Sequence, residues 1–440
     1  MDLYNLNPNK CSIICIHNAS RLSKSKYLGV AMEYKTLETL YHMDSSPLRE
    51  SNAVKLLEER KNASSSFRLG IETPYGELFI ATPRELTILL EKVLRRERKV
   101  SNLMRALPNI AGAQVLRSMV FDEVVGSNAI ENVHSTRKQI EEALSSRADD
   151  PKQKRFREFA RLYLDLIVDS HLVPETPDDI RFIYDKVMDS EELDSPPDGR
   201  LFRRESVKIT DGIKVIHEGV YSEEEITKAM QKMLDLVASY EIPSIYSALA
   251  AHFIFEYVHP FYDGNGRTGR YLLSLFLEHS LSKATALSLS RALAENRAAY
   301  YGAFSVAEHP LNRGELTFFI YEMLQLILNA QDNLIEKYEE NIKTLDSLTE
   351  ALNALESRGA YSGKELNLLF AMMQYAAFGV SGSASLEELA NHLGLGKQQT
   401  RKYLTDMENR GSVKRTRLRN PIMFALTDNF MKQLADEQID

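Results

Sequence analysis

From Pro83 to about residue 340, apolar side chains recur every three to four positions, the spacing of helices with one buried face. Leu86, Leu89, Leu90, Val93 and Leu94 share the first such face. Leu116, Met119, Val120 and Val124 share the next, on a helix spanning about 113–131 that Asn132 can end as a left-handed cap. The same pattern predicts helices over 135–146, 152–170, 175–189, 222–239, 244–258, 267–281, 288–306 and 315–340. Segment 244–258 is apolar on nearly every face, which predicts a buried helix. One stretch breaks the rule. Val207-Lys208-Ile209 and Ile213-Lys214-Val215 alternate around Asp211-Gly212, a favoured turn pair, and predict a short β-hairpin. The expected fold is mainly α: a helical bundle with a hairpin laid on it.

The two ends read differently. Residues 1–100 look mixed, with strand-like runs at 12–16 and 77–81 and turn chemistry at Thr73-Pro74-Tyr75-Gly76. Residues 341–375 read as connecting helices, and Gly379-Val-Ser-Gly-Ser383 as a boundary. Helices over 385–393 and 397–410 then flank a turn at 394–396, and a strand pair follows over 412–426, the layout of a winged helix-turn-helix. The expected division is an N-terminal region (1–100), a helical domain (101–335), a helical connector (336–375) and a winged helix (376–440).

Composition narrows the classes. In 440 residues, 44% belong to the hydrophobic set and 26% are charged, a globular balance. The net charge of −8 argues against a chain that binds polyanions along its whole surface. Cys11 and Cys15 are the only cysteines, too few for a disulfide framework or a closed zinc site. With no membrane-length apolar run and no basic, signal-like opening, a cytoplasmic protein without a membrane partner is expected.

The candidate chemistry is concentrated in His259-Pro-Phe-Tyr-Asp-Gly-Asn-Gly-Arg-Thr-Gly-Arg270. The preceding helix delivers His259, which can take a proton near neutral pH. Asp263 is a hard oxygen ligand suited to Mg²⁺. Gly264 and Gly266 let backbone N–H groups approach a ligand at the positive end of the next helix, an anion site. Arg267 and Arg270, three apart, can point fixed charge at phosphates. A base, a metal carboxylate, an anion cradle and two arginines suit attack by a hydroxyl on a nucleotide phosphate.

This run resembles the signature of the Fic family, His-x-Phe-x-Asp-Gly-Asn-Gly-Arg-x-x-Arg, and the likeness extends over about 112–330. The resemblance implies an all-helical protein adenylyltransferase that moves AMP from ATP to a Ser, Thr or Tyr hydroxyl of a protein. By it, His259 is the general base, and Asp263 holds Mg²⁺ on the α- and β-phosphates. Asn265, Gly266 and Arg267 form the anion hole, Gly264 belongs to the same loop, Arg270 meets the γ-phosphate, and Phe261 anchors the loop. Doc-like kinases carry Ala and Lys where this chain has Gly264 and Arg267, whereas phosphocholine transfer is compatible with the loop. Hairpin residues Val207, Lys208 and Ile209 resemble the flap that pairs with a target segment, approached through Gly199-x-x-Phe-Arg203. Tyr301 and Asn312 sit where family members contact adenine. His252 reads as a hydrogen-bonded core histidine.

Ser127-Asn-Ala-Ile-Glu131-Asn132 resembles the family's inhibitory motif, with Ser127 and Glu131 on one helix face. By the resemblance Glu131 pairs with Arg270 and restrains the enzyme within one chain. Some relatives use the same glutamate while removing AMP. Segment 396–419 carries eight basic residues against Asp406 and Glu408, charge that could meet DNA phosphates. The competing reading is therefore a DNA-binding regulator whose Fic region binds nucleotide or modifies itself; self-modification and a homodimer are compatible with either.

Overall fold

The computed structural model describes residues 33–145, 155–206, 208–210, 215–218, 222–417 and 421–436. The chain is mainly helical. It divides into two units, one comprising residues up to 97 and 122–331, the other 98–121 and 332 onward. Cys11, Cys15, the expected strand at 12–16, Val207 and the Asp211-Gly212 turn lie outside the described residues.

In chain order the elements are α1 (Leu37–Met43), α2 (Arg49–Lys61), β1 (Ser66–Thr73), β2 (Gly76–Ala81), α3 (Arg84–Ala106), α4 (Asn109–Ile130), α5 (Arg137–Ser145), α6 (Arg157–Ile167) and α7 (Pro177–Val187). Next come β3 (Lys208–Thr210), β4 (Val215–Glu218), α8 (Glu223–Ala238), α9 (Ser244–Val258), α10 (Asn265–Glu278), α11 (Lys283–Ala286), α12 (Leu289–Glu295) and α13 (Arg297–Ala307). The chain continues with α14 (Thr317–Ser357), α15 (Gly363–Phe378), β5 (Ala384–Ser385), α16 (Leu386–Leu393), α17 (Lys397–Asn409), β6 (Val413–Arg417), β7 (Met423–Leu426) and α18 (Asp428–Asp436).

In the first unit, α9 packs between α8 and α10. Its residues are buried from Ile245 to Phe255, as its all-round apolarity predicts. The two polar members are satisfied: Ser247 donates to Ser244 O, and both ring nitrogens of His252 are engaged. The β1–β2 hairpin is antiparallel with an irregularity between Arg68 and Glu72. Phe79 pairs with the approach to α14, its N–H donating to Gly314 O and its carbonyl accepting from Leu316 N–H. Strands β3 and β4 pair antiparallel, so the expected hairpin is present where it is described. Helix α7 starts with Pro177 behind a capping box of Thr176 and Asp179, the local reason it begins there.

The second unit builds its core from α15, α16, α17 and the strands, through Leu368, Leu369, Met373, Leu389, Leu404, Met407, Val413 and Phe424. Its sheet runs in the order β5-β7-β6. Capping boxes at Ser362/Glu365 and Ser385/Glu388 fix the starts of α15 and α16.

Several expected elements are corrected. The helix expected over 288–306 is two, broken at Asn296, whose side chain donates back to Ala292 O. The segment begun at 315 is one 41-residue helix that runs on through the expected connector to Ser357. Of the helix expected over 152–170, residues 152–154 lie outside the described residues, and the described helix begins at Arg157, after Phe156 in a left-handed conformation at φ 67°. Helices α1, α2, α11 and α18 and strand β1 are additional to the sequence reading.

Candidate active site

Helix α9 ends at His259, which caps it in the left-handed conformation at φ 54°. A non-glycine residue holds that geometry only when its surroundings fix it. Here they do. The wholly buried Arg203 donates from Nε to His259 O at 2.7 Å and from its second terminal nitrogen to Val258 O at 3.0 Å. These are carbonyls at the negative end of α9, where a cation is favoured. The imidazole Nδ1 lies 3.3 Å from Glu256 O.

The loop then turns into the core. Phe261 is fully buried and stacks on Tyr184 with ring centroids 3.6 Å apart. Asn265 closes the loop on itself: its Oδ1 accepts from Phe261 N–H at 2.9 Å and its Nδ2 donates to Phe261 O at 2.7 Å. Its amide side chain is thus occupied with loop shape. Gly264 precedes α10 at φ 79°, a left-handed conformation that favours glycine, and a Cβ there would also press on the Met188 side chain. Asp263 is exposed and accepts from Gly264 N–H at 2.6 Å. The first-turn N–H groups of α10, at Asn265 to Arg267, have no carbonyl of their own helix within reach and lie at its positive end.

The two loop arginines are both buried and go to different carboxylates. Arg270 donates to Glu131 at 2.8 Å, and to the hydroxyl and carbonyl of Ser127, each at 3.0 Å. Arg267 pairs with Glu191 at 3.0 Å, and Glu191 also holds Arg155 at 3.0 Å. The Nε of Arg267 is buried with no hydrogen-bond partner among the described residues. Glu131 reaches its place over the backbone of Gly266, where a Cβ would come 1.9 Å from the carboxylate oxygen. The Glu131 carboxylate therefore stands at the N-terminal end of α10.

Behind Arg270 lies a buried polar cluster that the sequence does not announce. Burial pushes the Glu256 carboxyl up to about 8; the Arg270 charge opposes this and Glu131 adds to it. Burial likewise holds Glu123 at about 7, although Ser290 N–H donates to both its oxygens. Burial, then the Arg270 charge, lowers His252 to about 3, so this histidine is a neutral core group bonded to Gly269 O and Tyr300 Oη. Tyr301 feels the same cluster: burial and Glu131 push its hydroxyl up to about 12. Asn312 is elsewhere. Its buried amide accepts from Glu38 N–H and donates to Val306 O, tying α1 to the turn before α14.

Glu256 makes stability depend on pH. Its carboxyl titrates near 4.5 when unfolded and about 8 when folded. The folded chain thus binds more protons between those values, so the stabilisation is complete below about 4.5 and lost as pH rises through about 8. At about 1.4 kcal/mol per unit, unfolding free energy should fall by a few kcal/mol on going to alkaline pH. Urea denaturation of Glu256→Gln should show a flatter pH slope than the parent; equal slopes would mean Glu256 is already ionised in the fold.

Residues 174–277 match the family model described as Fic/DOC family, and residues 373–423 match one described as FaeA-like protein. The protein adenylyltransferase fic-1 of Caenorhabditis elegans is 32% identical over 135 residues, covering 29% of this chain and 24% of that protein. The chain thus matches about a quarter of that relative's length. Among solved structures, a Fic family protein from Desulfovibrio desulfuricans covers 77% of this chain and 96% of its own, at 18% identity and TM-score 0.45. A fragment of C. elegans Fic-1 covers 69% of this chain and 80% of its own, at 19% identity and TM-score 0.43. Residues 174–277, which contain the whole run from His259 to Arg270, thus carry the match to the Fic/DOC family.

Proposed function

We propose that this site transfers AMP from ATP to a Ser, Thr or Tyr hydroxyl of a protein, and that Glu131 restrains it. The observation that carries the reading is the position of the Glu131 carboxylate, over Gly266 at the start of α10 and bound to buried Arg270. Such a place, between helix N–H groups and a guanidinium, is built for an anion. Arg267 brings a second buried guanidinium with an unused donor, which suits a polyphosphate rather than a single carboxylate.

The chain's residues divide the work. With Nδ1 donating to Glu256 O, the His259 ring carries its lone pair on Nε2, which takes the proton of the incoming hydroxyl. The hydroxyl oxygen bonds to the α-phosphorus as the bond to the bridging oxygen breaks, and pyrophosphate leaves. Helix α10 N–H groups, Arg267 and Arg270 meet the charge on the phosphates. Among the described residues no group of three or more His, Cys, Asp and Glu forms a metal cage. A lone carboxylate such as Asp263 fits Mg²⁺ that is held mainly by nucleotide oxygens. That ion would neutralise charge on the departing pyrophosphate. The same site with water as the nucleophile would remove AMP, so the product of a reaction with ATP decides the direction.

On this reading two carboxylates compete with the phosphates, Glu131 at Arg270 and Glu191 at Arg267. Glu191→Gln weakens the second pair without emptying the space. It is expected to tighten ATP about threefold to tenfold, equal to ~0.7–1.4 kcal/mol. Calorimetric titration checks this, and an unchanged affinity would mean that Glu191 does not compete. Transfer itself is tested with labelled ATP on the Glu131→Gly chain.

For residues 376–436 we retain the winged-helix reading, supported by a helix–turn–helix, a following strand pair and the FaeA-like match. Four of the eight basic residues of segment 396–419 are paired: Lys397 with Glu387, Arg410 with Glu365, Lys414 with Asp428 and Arg415 with Glu408. DNA contact would rest on exposed Arg401, Lys402 and Arg417.

No helix among the described residues is long and apolar enough to cross a membrane.

A further inference from the structure

The approach to the β3–β4 hairpin is bolted to the loop that carries His259. Arg203 donates not only to Val258 and His259 carbonyls but also to Glu205 O at 2.5 Å, and its own N–H donates to Pro260 O at 3.1 Å. A second bolt lies beside it. The Tyr262 hydroxyl accepts from Glu205 N–H at 3.2 Å and donates to Asp198 at 3.0 Å. Asp198 in turn accepts from Arg204 N–H at 2.9 Å. From below, the Glu223 carboxylate accepts from Leu201 and Phe202 N–H, and Gly199 leaves no room for a Cβ against it. Residues 198–205 are thus held on both faces, three positions before β3 begins.

We infer that Arg203 and Tyr262 are positioning residues that set the hairpin, as the seat of the incoming hydroxyl, at a fixed offset from the His259 base. The inference rests on the transfer reading. A base must stand within about 3 Å of the proton it takes, and an error of about 1 Å can cost on the order of 100-fold. Tyr262 occupies a position in the loop that touches neither Arg267 nor Arg270 in the contacts described, so its hydroxyl can be removed without removing the phosphate-binding groups. Arg203 acts through main-chain carbonyls, which a lysine's single ammonium cannot span in the same fork.

The test uses the full chain carrying Glu131→Gly, with Tyr262→Phe added, and Arg203→Lys as a second variant. ATP affinity, the rate of self-labelling from labelled ATP and amide exchange at Arg204 and Glu205 are measured on each. The expected result is amide exchange faster by about tenfold or more at Arg204 and Glu205, ATP affinity within about twofold, and labelling slower by about tenfold or more. This split between nucleotide affinity and turnover is what a general loss of structure would not give. Unchanged exchange, or ATP affinity falling in step with labelling, overturns the inference. Should Glu131→Gly bind ATP yet transfer nothing while Tyr262→Phe still loosens Arg204 and Glu205, the transfer reading fails and the mechanical link stands. Should Arg203→Lys fail to fold, Tyr262→Phe decides alone.

Discussion

Replacing His259 with alanine in the Glu131→Gly chain is expected to slow AMP transfer by ~10²–10⁴-fold, the usual contribution of a general base. ATP affinity should stay within about twofold, because the phosphate-facing groups begin at the next turn of chain. The geometry makes the substitution informative. The His259 side chain is not what holds the loop: Arg203 grips its carbonyl, Phe261 is seated on Tyr184, and Asn265 closes the turn. Removal of the imidazole thus leaves the frame intact. Quenched-flow or filter-binding assays of labelled AMP incorporation check the rate, and calorimetry the affinity. A loss of transfer accompanied by an equal loss of ATP binding would place His259 in nucleotide binding and not in proton transfer.

Glu131→Gly should act in the opposite direction, raising transfer and tightening ATP. Arg270 is buried, and Glu131 is its only carboxylate at bonding distance among the contacts described. Displacing a charge-assisted contact of ~1.5–3 kcal/mol corresponds to roughly 10–100-fold in nucleotide affinity. The same substitution leaves a buried cation without its counter-charge, a change that costs about 3–5 kcal/mol in other proteins. Retained contacts from Arg270 to Ser127 reduce that cost here. The variant should therefore be less stable without nucleotide and regain stability when ATP is added. A thermal-shift series with and without ATP reads both effects. Higher stability without nucleotide, or no added stabilisation by ATP relative to the parent, would contradict the restraint.

The loop was legible in the sequence because its parts are contiguous. A histidine at the end of an apolar helix, two glycines at the turn and two arginines on the next helix lie within twelve positions. The pairing of Glu131 with Arg270 bridges 139 positions and was legible through the family resemblance alone. Glu191, Arg155, Arg203, Asp198 and Glu223 carried less signal, since each acts through a contact made only in the folded chain. Arg203 was marked only through the resemblance of Gly199-x-x-Phe-Arg203, and its grip on the carbonyls of Glu205, Val258 and His259 shows only in the fold. Glu123 and Glu256 sit in helices as ordinary acids, and only packing shows that the first is buried and the second half-buried with one carboxylate oxygen enclosed.

The fold divides in the same way. Helices α8, α9 and α10 were readable because each has a strong apolar pattern and a clear end signal. Helix α2 buries none of its residues, so it has no stripe to read. Strand β1 does alternate, Phe67, Leu69 and Ile71 against Arg68, Gly70 and Glu72, so its signal was present in the sequence and the reading passed over it. The basic run at 396–419 shows the limit of charge counting: four of its cations are paired within the chain.

The central claim is best tested by mass spectrometry of the Glu131→Gly chain, incubated with ATP and Mg²⁺ in a cell lysate, with the Glu131→Gly, His259→Ala chain as control. The account predicts an AMP adduct on a Ser, Thr or Tyr of this chain or of a lysate protein, absent from the control. ATP bound with no such adduct, or an adduct that persists without His259, would contradict it.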